Sequence, residues 1–328
     1  MACIWVNCPS RKRLQPLTQC GYGDPSLRIE LNQQDAGKRL DQALHQRFPH
    51  LSRARVQAWI KNGHVLVNGG TQRASYTVRS ADAIDVEPAE PVPLHATPEQ
   101  IPLTILYEDS GVVAIDKPAG MVVHAGAGVH SGTLVNALLH HFASLSRTAG
   151  DLRPGIVHRL DRYTSGVLLV ARNDAAHQSL ARQFASRQVE KTYLALVHGN
   201  VKQDHGRIEK PIARDPKLRT RMTARLAHGR AAWSEYRVLQ RFAGFTFLEV
   251  RIGTGRTHQI RVHLASIGHP VVGDRLYGAP AKIDGQPTLP RYFLHAHRIR
   301  FQQPSTGEPV IVESQLPPDL NAWLKQLA

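Results

Sequence analysis

The sequence predicts an α+β protein: a mixed, largely antiparallel sheet with flanking helices, preceded by a small N-terminal α/β domain. Three observations carry that expectation. From residue 104 onward short strand-like runs dominate: "LTILYED", "GVVAIDKP", "GMVVHA", "GVLLVAR", "TYLALVHG", "AWSEYRVLQ" and "FTFLEVRI". Helical patterns interrupt them irregularly, at "GTLVNALLHHF", "DAAHQSLARQFAS" and "THQIRVHLASIG", which disfavours a doubly wound parallel sheet. Upstream, "EPAEPVPLHATPEQIP" carries prolines 88, 91, 93, 98 and 102, a run that cannot continue a helix or a sheet and reads as a stiff spacer.

In the smaller domain, residues 38–48 place Leu40, Ala43, Leu44 and Phe48 at helical spacing before Pro49 stops the helix. Ser52 can cap a second helix, "SRARVQAWIKN", with Val56, Trp59 and Ile60 as its inner face and Gly63 as a left-handed exit. "HVLVNG" then reads as a strand ending in an Asn-Gly turn, followed by "TQRASYTVRS" and "AIDVEP". The division expected is a poorly ordered tail over 1–25, the small domain over 26–88, the linker over 89–103 and a larger domain over 104–328.

Composition narrows the function. The 328 residues carry 41 Lys and Arg against 26 Asp and Glu, a net charge of +15, and two thirds of the excess falls between residues 147 and 230. Such a balance attracts polyanions through steering and counterion release. No apolar run approaches the ~20 residues of a membrane helix, and the opening segment has the wrong order for a secretory signal. The expected compartment is therefore the cytoplasm, with no membrane partner. Cys3, Cys8 and Cys20 all lie in that segment, an odd number that excludes a disulfide framework and lacks a fourth metal ligand. Arg53, Arg55 and Lys61 lie off the apolar stripe of the second helix and are assigned to RNA binding.

The motifs of several enzyme classes are missing. "GAGVHSG" at 126–132 has the wrong spacing for a dinucleotide loop, and no phosphate-binding GxxxxGK[ST], HExxH or GxSxG sequence occurs. His140, His141, His295 and His297 are expected to pack or to bind backbone or phosphate rather than a metal. What remains is Asp161, in "HRLDRYTSGVLLVAR", and the cluster Arg256, Arg261 and His263 in "GTGRTHQIRVH". Taken alone, an Asp in a turn beside arginines is more often a structural ion pair than a reagent.

The small domain resembles the S-four RNA-binding module over residues 26–88, in its basic second helix and its helix-helix-strand order. The blocks "YEDSGVVAIDKPAGMVVHAG", "GIVHRLDRYTSGVLLVAR", "KTYLALVHG" and "GTGRTHQIRVHLASIGHPVVGDRLYG" together resemble the RluA-type pseudouridine synthase family across nearly all of 104–302. The resemblance implies that Asp161 is the catalytic carboxylate, that Arg261 pairs with it and that Tyr193 stacks on the target uracil. It implies further that Ile260 packs behind the tyrosine and that Arg159 enters the base stack when the uridine flips out. His158 and Arg256, from the same blocks, join Arg159 and Ile260 as expected substrate contacts.

The reaction implied is an isomerisation that detaches uracil at N1 and reattaches it through C5, so neither metal, nucleotide nor redox cofactor is expected. The substrate expected is large-subunit ribosomal RNA, handled by a monomer. Transfer RNA is the alternative target; a non-catalytic assembly factor and a glycosidase are the competing classes, and a glycosidase generally needs two carboxylates.

Overall fold

A computed structural model of the chain describes residues 27–30, 35–49, 53–87, 96–126, 129, 131–150, 152–282 and 288–327. The tail over 1–25, Ser52 and most of the proline-rich run before residue 96 lie outside the described residues. The chain divides into two units, Met1–Pro93 and Leu94–Ala328.

The first unit is built from β1 (Leu27–Glu30), α1 (Leu40–Arg47), α2 (Arg53–Lys61), β2 (Val65–Val67), β3 (Gly70–Thr71) and β4 (Ala83–Val86). Its sheet runs in the order β1-β4-β2-β3, all antiparallel. The apolar stripes read from the sequence do face inward: Leu40, Ala43, Leu44, Val56, Trp59 and Ile60 form one core with Val65, Val67, Ile84 and Val86. Gly63 takes the left-handed conformation that ends α2, and Asn68-Gly69 both take positive φ, the geometry of a type I′ hairpin turn.

The second unit holds one mixed sheet. Its elements are β5 (Thr104–Glu108), β6 (Val112–Lys117), α3 (Leu134–His141), β7 (Ser165–Ala171), α4 (Asp174–Ala185), β8 (Glu190–His198), β9 (His205–Glu209), β10 (Ala213–Arg214), β11 (Met222–Thr223), β12 (Trp233–Phe242), β13 (Phe245–Ile252), α5 (Gln259–Ser266), β14 (Leu294–Gln302), β15 (Pro309–Glu313) and α6 (Pro318–Lys325). Among the described residues the main sheet runs β5-β6-β7-β14-β8-β13-β12-β9, with β15 against β14 and β10-β11 as a separate hairpin. Every pair is antiparallel except β7 with β14.

That central parallel pairing depends on Gly166, whose φ is +111° and whose missing Cβ leaves room for the backbone of Ala296. Strand β7 is buried along its whole length, as its unbroken apolar run requires. The main core joins β6, β7, β8, β13 and β14 to α3, α5 and α6 through residues such as Ile115, Leu138, Leu168, Leu196, Val250, Phe293 and Trp323.

Two expectations need correction. "GMVVHA" is not a strand: the carbonyls of Val122 and Val123 accept the free N–H groups of Leu134 and Val135 at the start of α3, so this stretch serves as a helix-capping loop. The described part of the linker, 96–103, is not a free spacer either. Asn136 donates to the Thr97 carbonyl at 2.8 Å, the Glu99 carboxylate accepts from Gly132 N–H, and His141 bonds the Ile101 carbonyl at 2.8 Å. This extended backbone has no sheet partner, and α3 satisfies it instead.

Candidate active site

Asp161 lies in the loop that feeds β7, and that loop is fastened on both sides. Leu160 is buried in the main core. The Arg162 carbonyl accepts from Gly120 N–H at 2.8 Å, and the Arg162 guanidinium donates back to the Gly120 carbonyl at 3.0 Å. Below them the fully buried Lys117 ammonium donates to the carbonyls of Pro118, Met121 and Arg162 at 2.7, 3.0 and 3.2 Å. Burial first, and the positive charge of Arg291 second, push the Lys117 pKa down to about 7. Arg291 closes the other flank, donating to Ser165 Oγ at 3.0 Å and to the Asp319 carboxylate at 2.7 and 3.0 Å.

Arg261, buried in the first turns of α5, donates through Nη1 to Asp161 Oδ2 at 3.1 Å. Its other two donors form a fork on Asp274, Nε to Oδ2 at 2.6 Å and Nη2 to Oδ1 at 2.9 Å. The ring of Tyr292 lies under the guanidinium at 4.1 Å and that of Tyr277 at 5.0 Å. Burial alone would lower the Arg261 pKa, but the hydrogen bonds and charge of Asp274 outweigh it and raise it, so this cation is permanent.

Two hollows meet at Asp161. A cavity of about 850 Å³ is lined by Arg159, Arg162, Arg275 and Arg291 on its cationic side and by Tyr163 and Tyr292. A recess of about 70 Å³ is walled by Tyr193, Ile252, Ile260 and Leu294. Arg159, Asp161, His258 and Arg261 border both. Tyr193 comes from β8 and Ile260 from α5, two elements that the main core presses together. Burial first, and the Asp161 charge second, raise the Tyr193 pKa, so its phenol stays neutral. A recess that sets an aromatic ring and aliphatic side chains beside a carboxylate and cationic groups suits a flat heterocycle attached to a sugar.

Thus Asp161, Tyr193, Arg261, Arg159, Ile260 and Arg256 meet at one place. His158 does not. Its Nε2 accepts the Leu169 N–H at 2.8 Å, and its ring packs on Phe184 at 4.8 Å. Burial and the charge of Lys191 hold its pKa down at about 3, so it is a neutral acceptor that stitches the loop to β7. His263 is likewise internal, bonded to Ser234 and to the Lys210 carbonyl. His295 and His297 bind the Ser314 carbonyl, and no metal-binding group of three ligands is found among the described residues.

In the first unit, Arg53 is engaged internally: it donates to the buried Asp41 at 3.1 and 2.9 Å, alongside Arg39 and Gln57. Lys61 is exposed, and the Arg55 side chain lies outside the described residues.

Sequence reasoning did not single out Lys117, His258, Asp274 or Tyr292. Asp274 had a signal, a lone acid inside the apolar block "HPVVGDRLYG". Tyr292 follows a stretch of no recognisable pattern and had none.

No helix among the described residues is long and apolar enough to cross a membrane. A model of the RNA pseudouridylate synthase family matches residues 111–266, and a model of the S4 domain matches residues 38–84. A protein of Nitrosomonas europaea named ribosomal large subunit pseudouridine synthase D is 45% identical over 91% of this chain and 88% of its own length. An uncharacterized RNA pseudouridine synthase of Aquifex aeolicus is 43% identical over 91% of this chain and 97% of its own. The solved structure of human RNA pseudouridylate synthase domain containing 1 superposes with a TM-score of 0.55 at 29% identity, covering 71% of this chain and 90% of that one. The chain therefore belongs to the RluA-type RNA pseudouridine synthases, isomerases that act on RNA, and carries an S-four RNA-binding domain in its N-terminal unit.

Proposed function

We propose that the protein acts as a cytoplasmic monomer that converts specific uridines of large-subunit ribosomal RNA to pseudouridine, with Asp161 as the reacting carboxylate. The observation that carries the mechanism is the Asp161 carboxylate, held by Arg261 at 3.1 Å where the cationic cavity meets the apolar recess. The ribosomal target draws support from relatives at 43–45% identity that are named ribosomal large subunit pseudouridine synthase D.

A uridine within folded RNA must leave its stack to reach the recess, at a cost of a few kcal/mol. Exposed Arg159, bordering both hollows, fills the vacated stack, and Tyr193 stacks on the base, worth roughly 1–3 kcal/mol. Asp161 then acts at the ribose, either bonding to C1′ as N1 leaves and being displaced when C5 bonds there, or taking the C2′ proton and returning it as C5 bonds to C1′. The C1′–N1 bond breaks and its electron pair leaves with the uracil. The base turns, C5 bonds to C1′, the C5 proton is lost and N1 takes up a proton, so the atoms balance with no co-reactant.

The test maps pseudouridines in all RNA from cells with the gene, without it, and with Asp161→Asn in its place. Loss of particular large-subunit sites in both altered strains is the expected result. Sites lost from transfer RNA alone would overturn the ribosomal target, and full modification by the Asn variant would overturn the role of Asp161.

A further inference from the structure

We infer that His258 is a further catalytic residue of this site, donating its Nε2–H to the uracil O2 as the C1′–N1 bond breaks; the inference rests on the reaction proposed above.

Four observations converge on this residue. First, His258 holds a left-handed backbone, φ 57° and ψ 20°, immediately before α5. That conformation costs a residue with a Cβ about 1–2 kcal/mol, and such strain gathers where a side chain must be aimed. Second, the ring is fixed by Tyr277, whose hydroxyl lies 2.8 Å from Nδ1. The same oxygen accepts the Met222 N–H at 2.9 Å, and Nδ1 is the acceptor within reach of its own proton among the described residues, so we assign that proton to the Tyr277–Nδ1 bond. Nδ1 is then an acceptor, and the neutral imidazole carries its hydrogen on Nε2.

Third, Nε2 stands 3.9 Å from Asp161 Oδ2. That is beyond hydrogen-bond reach, so the N–H is beside the carboxylate without being consumed by it. Among the described residues no acceptor takes it. Fourth, His258 borders both the cationic cavity and the apolar recess, where a base attached to a sugar at Asp161 has to lie. Burial lowers the His258 pKa; the negative Asp161 and Asp274 oppose that, Arg261 and Arg159 reinforce it, and the net shift favours the neutral ring.

The chemistry calls for such a donor. When the C1′–N1 pair leaves with the uracil, negative charge spreads over N1 and the two carbonyl oxygens. O2 is the oxygen next to N1, hence next to the sugar on which Asp161 acts. A neutral N–H there stabilises the anion and is too weak an acid to protonate it, so the base keeps the charge it needs to react through C5.

The experiment uses the full-length protein and two RNA substrates, one with uridine and one with 2-thiouridine at the target, because sulfur accepts hydrogen bonds weakly. The wild-type single-turnover rate at saturating RNA should fall with the thio substrate. His258→Asn tolerates the left-handed backbone and should react roughly 100–1,000-fold more slowly with uridine at unchanged RNA affinity, the range found on removing one such donor. In that variant the thio substitution should cause little further loss. Tyr277→Phe, which removes the lock on Nδ1, should give a smaller loss with a changed pH profile. A wild-type enzyme indifferent to the thio group overturns the inference with no variant needed. So does a His258→Asn enzyme within threefold of wild type, or one whose thio effect stays full. If Asp161→Asn remains active, the reading of the reaction itself fails; if it is dead while His258→Asn is unimpaired, only this inference fails.

Discussion

Arg261 grips Asp161 with one nitrogen and Asp274 with the other two, so the Asp161 carboxylate is positioned by a guanidinium that is itself anchored on a second acid in the segment after α5. Asp274 is 1% exposed and has no water to fall back on. Asp274→Asn removes the fork's charge partner and leaves a buried guanidinium short of one. Such a break costs about 3–5 kcal/mol. Chemical denaturation should register that loss, and turnover should fall because Arg261 is free to swing from Asp161. Arg261→Lys keeps a cation but cannot fork on one acid while reaching the other, so its rate should drop while RNA binding holds.

Lys117 makes a second prediction. Its ammonium, 0% exposed, ties the Arg162 carbonyl to the 118–121 loop one residue past Asp161. Lys117→Met takes a donor from the Pro118 and Met121 carbonyls and one of two from the Arg162 carbonyl, which keeps Gly120 N–H, and a group left unsatisfied out of reach of water costs about 1–3 kcal/mol. Single-turnover rate at saturating RNA should fall, with Kd for RNA unchanged. An unchanged rate would mean the loop holds its shape without the lysine. The Lys117 pKa of about 7 lies below the ordinary lysine value near 10.4. The unfolded chain therefore binds more protons between those limits, and this residue's destabilising share should lessen as pH rises from 7 toward 10. Comparing wild type and Lys117→Met across that range isolates it.

Arg53 makes a third, set in the small unit. Asp41 is 0% exposed yet ionised: burial would raise its pKa, and Arg39, Gln57 and Arg53 bring it down to about 2. A depressed carboxylate contributes its stability above the ordinary value near 3.9 and loses it as pH falls toward 2. Arg53→Ala should destabilise the small unit by about 1–3 kcal/mol at pH 7, the worth of hydrogen bonds to a charged group. That penalty should shrink toward zero near pH 2, followed by denaturation at each pH. A constant penalty would mean that Arg53 acts through packing rather than through Asp41.

Gly166 makes the fourth. With φ at +111° and the Ala296 backbone where a Cβ would go, Gly166→Ala strains both its own backbone in β7 and the β7–β14 pairing. Overpacking and the left-handed backbone together should cost about 3–5 kcal/mol. A melting curve within a degree of wild type would contradict that placement.

The elements most visible in the sequence were those whose pattern is local. β7 declared itself by seven consecutive buried residues, and α1 and α2 by apolar spacing, because burial on one face or both leaves a periodic signature. "GMVVHA" misled because three apolar residues look alike whether they pair in a sheet or cap a helix. His158 misled in the same way: its neighbours in "HRLD" face the cavity, while a backbone turn sends its ring inward to Leu169 and Phe184.

The sequence by itself determined the family, marked α1 to α5 and the strands β2, β4 to β8, β12 and β13, and singled out Asp161, Tyr193 and Arg261, because each is written in contiguous residues; it left β1, β9 to β11, β14, β15 and α6 unread. The tertiary structure decided what those residues can do. Asp161 and Arg261 are a hundred positions apart, and their 3.1 Å contact exists only because β7 and α5 pack into one core. It also showed partners that the sequence does not display: Asp41 for Arg53, three carbonyls for Lys117, and a second carboxylate, Asp274, for Arg261. Composition counts charges; only the folded chain, by removing water from some and leaving it on others, decides which are fixed to one another and which remain available to RNA.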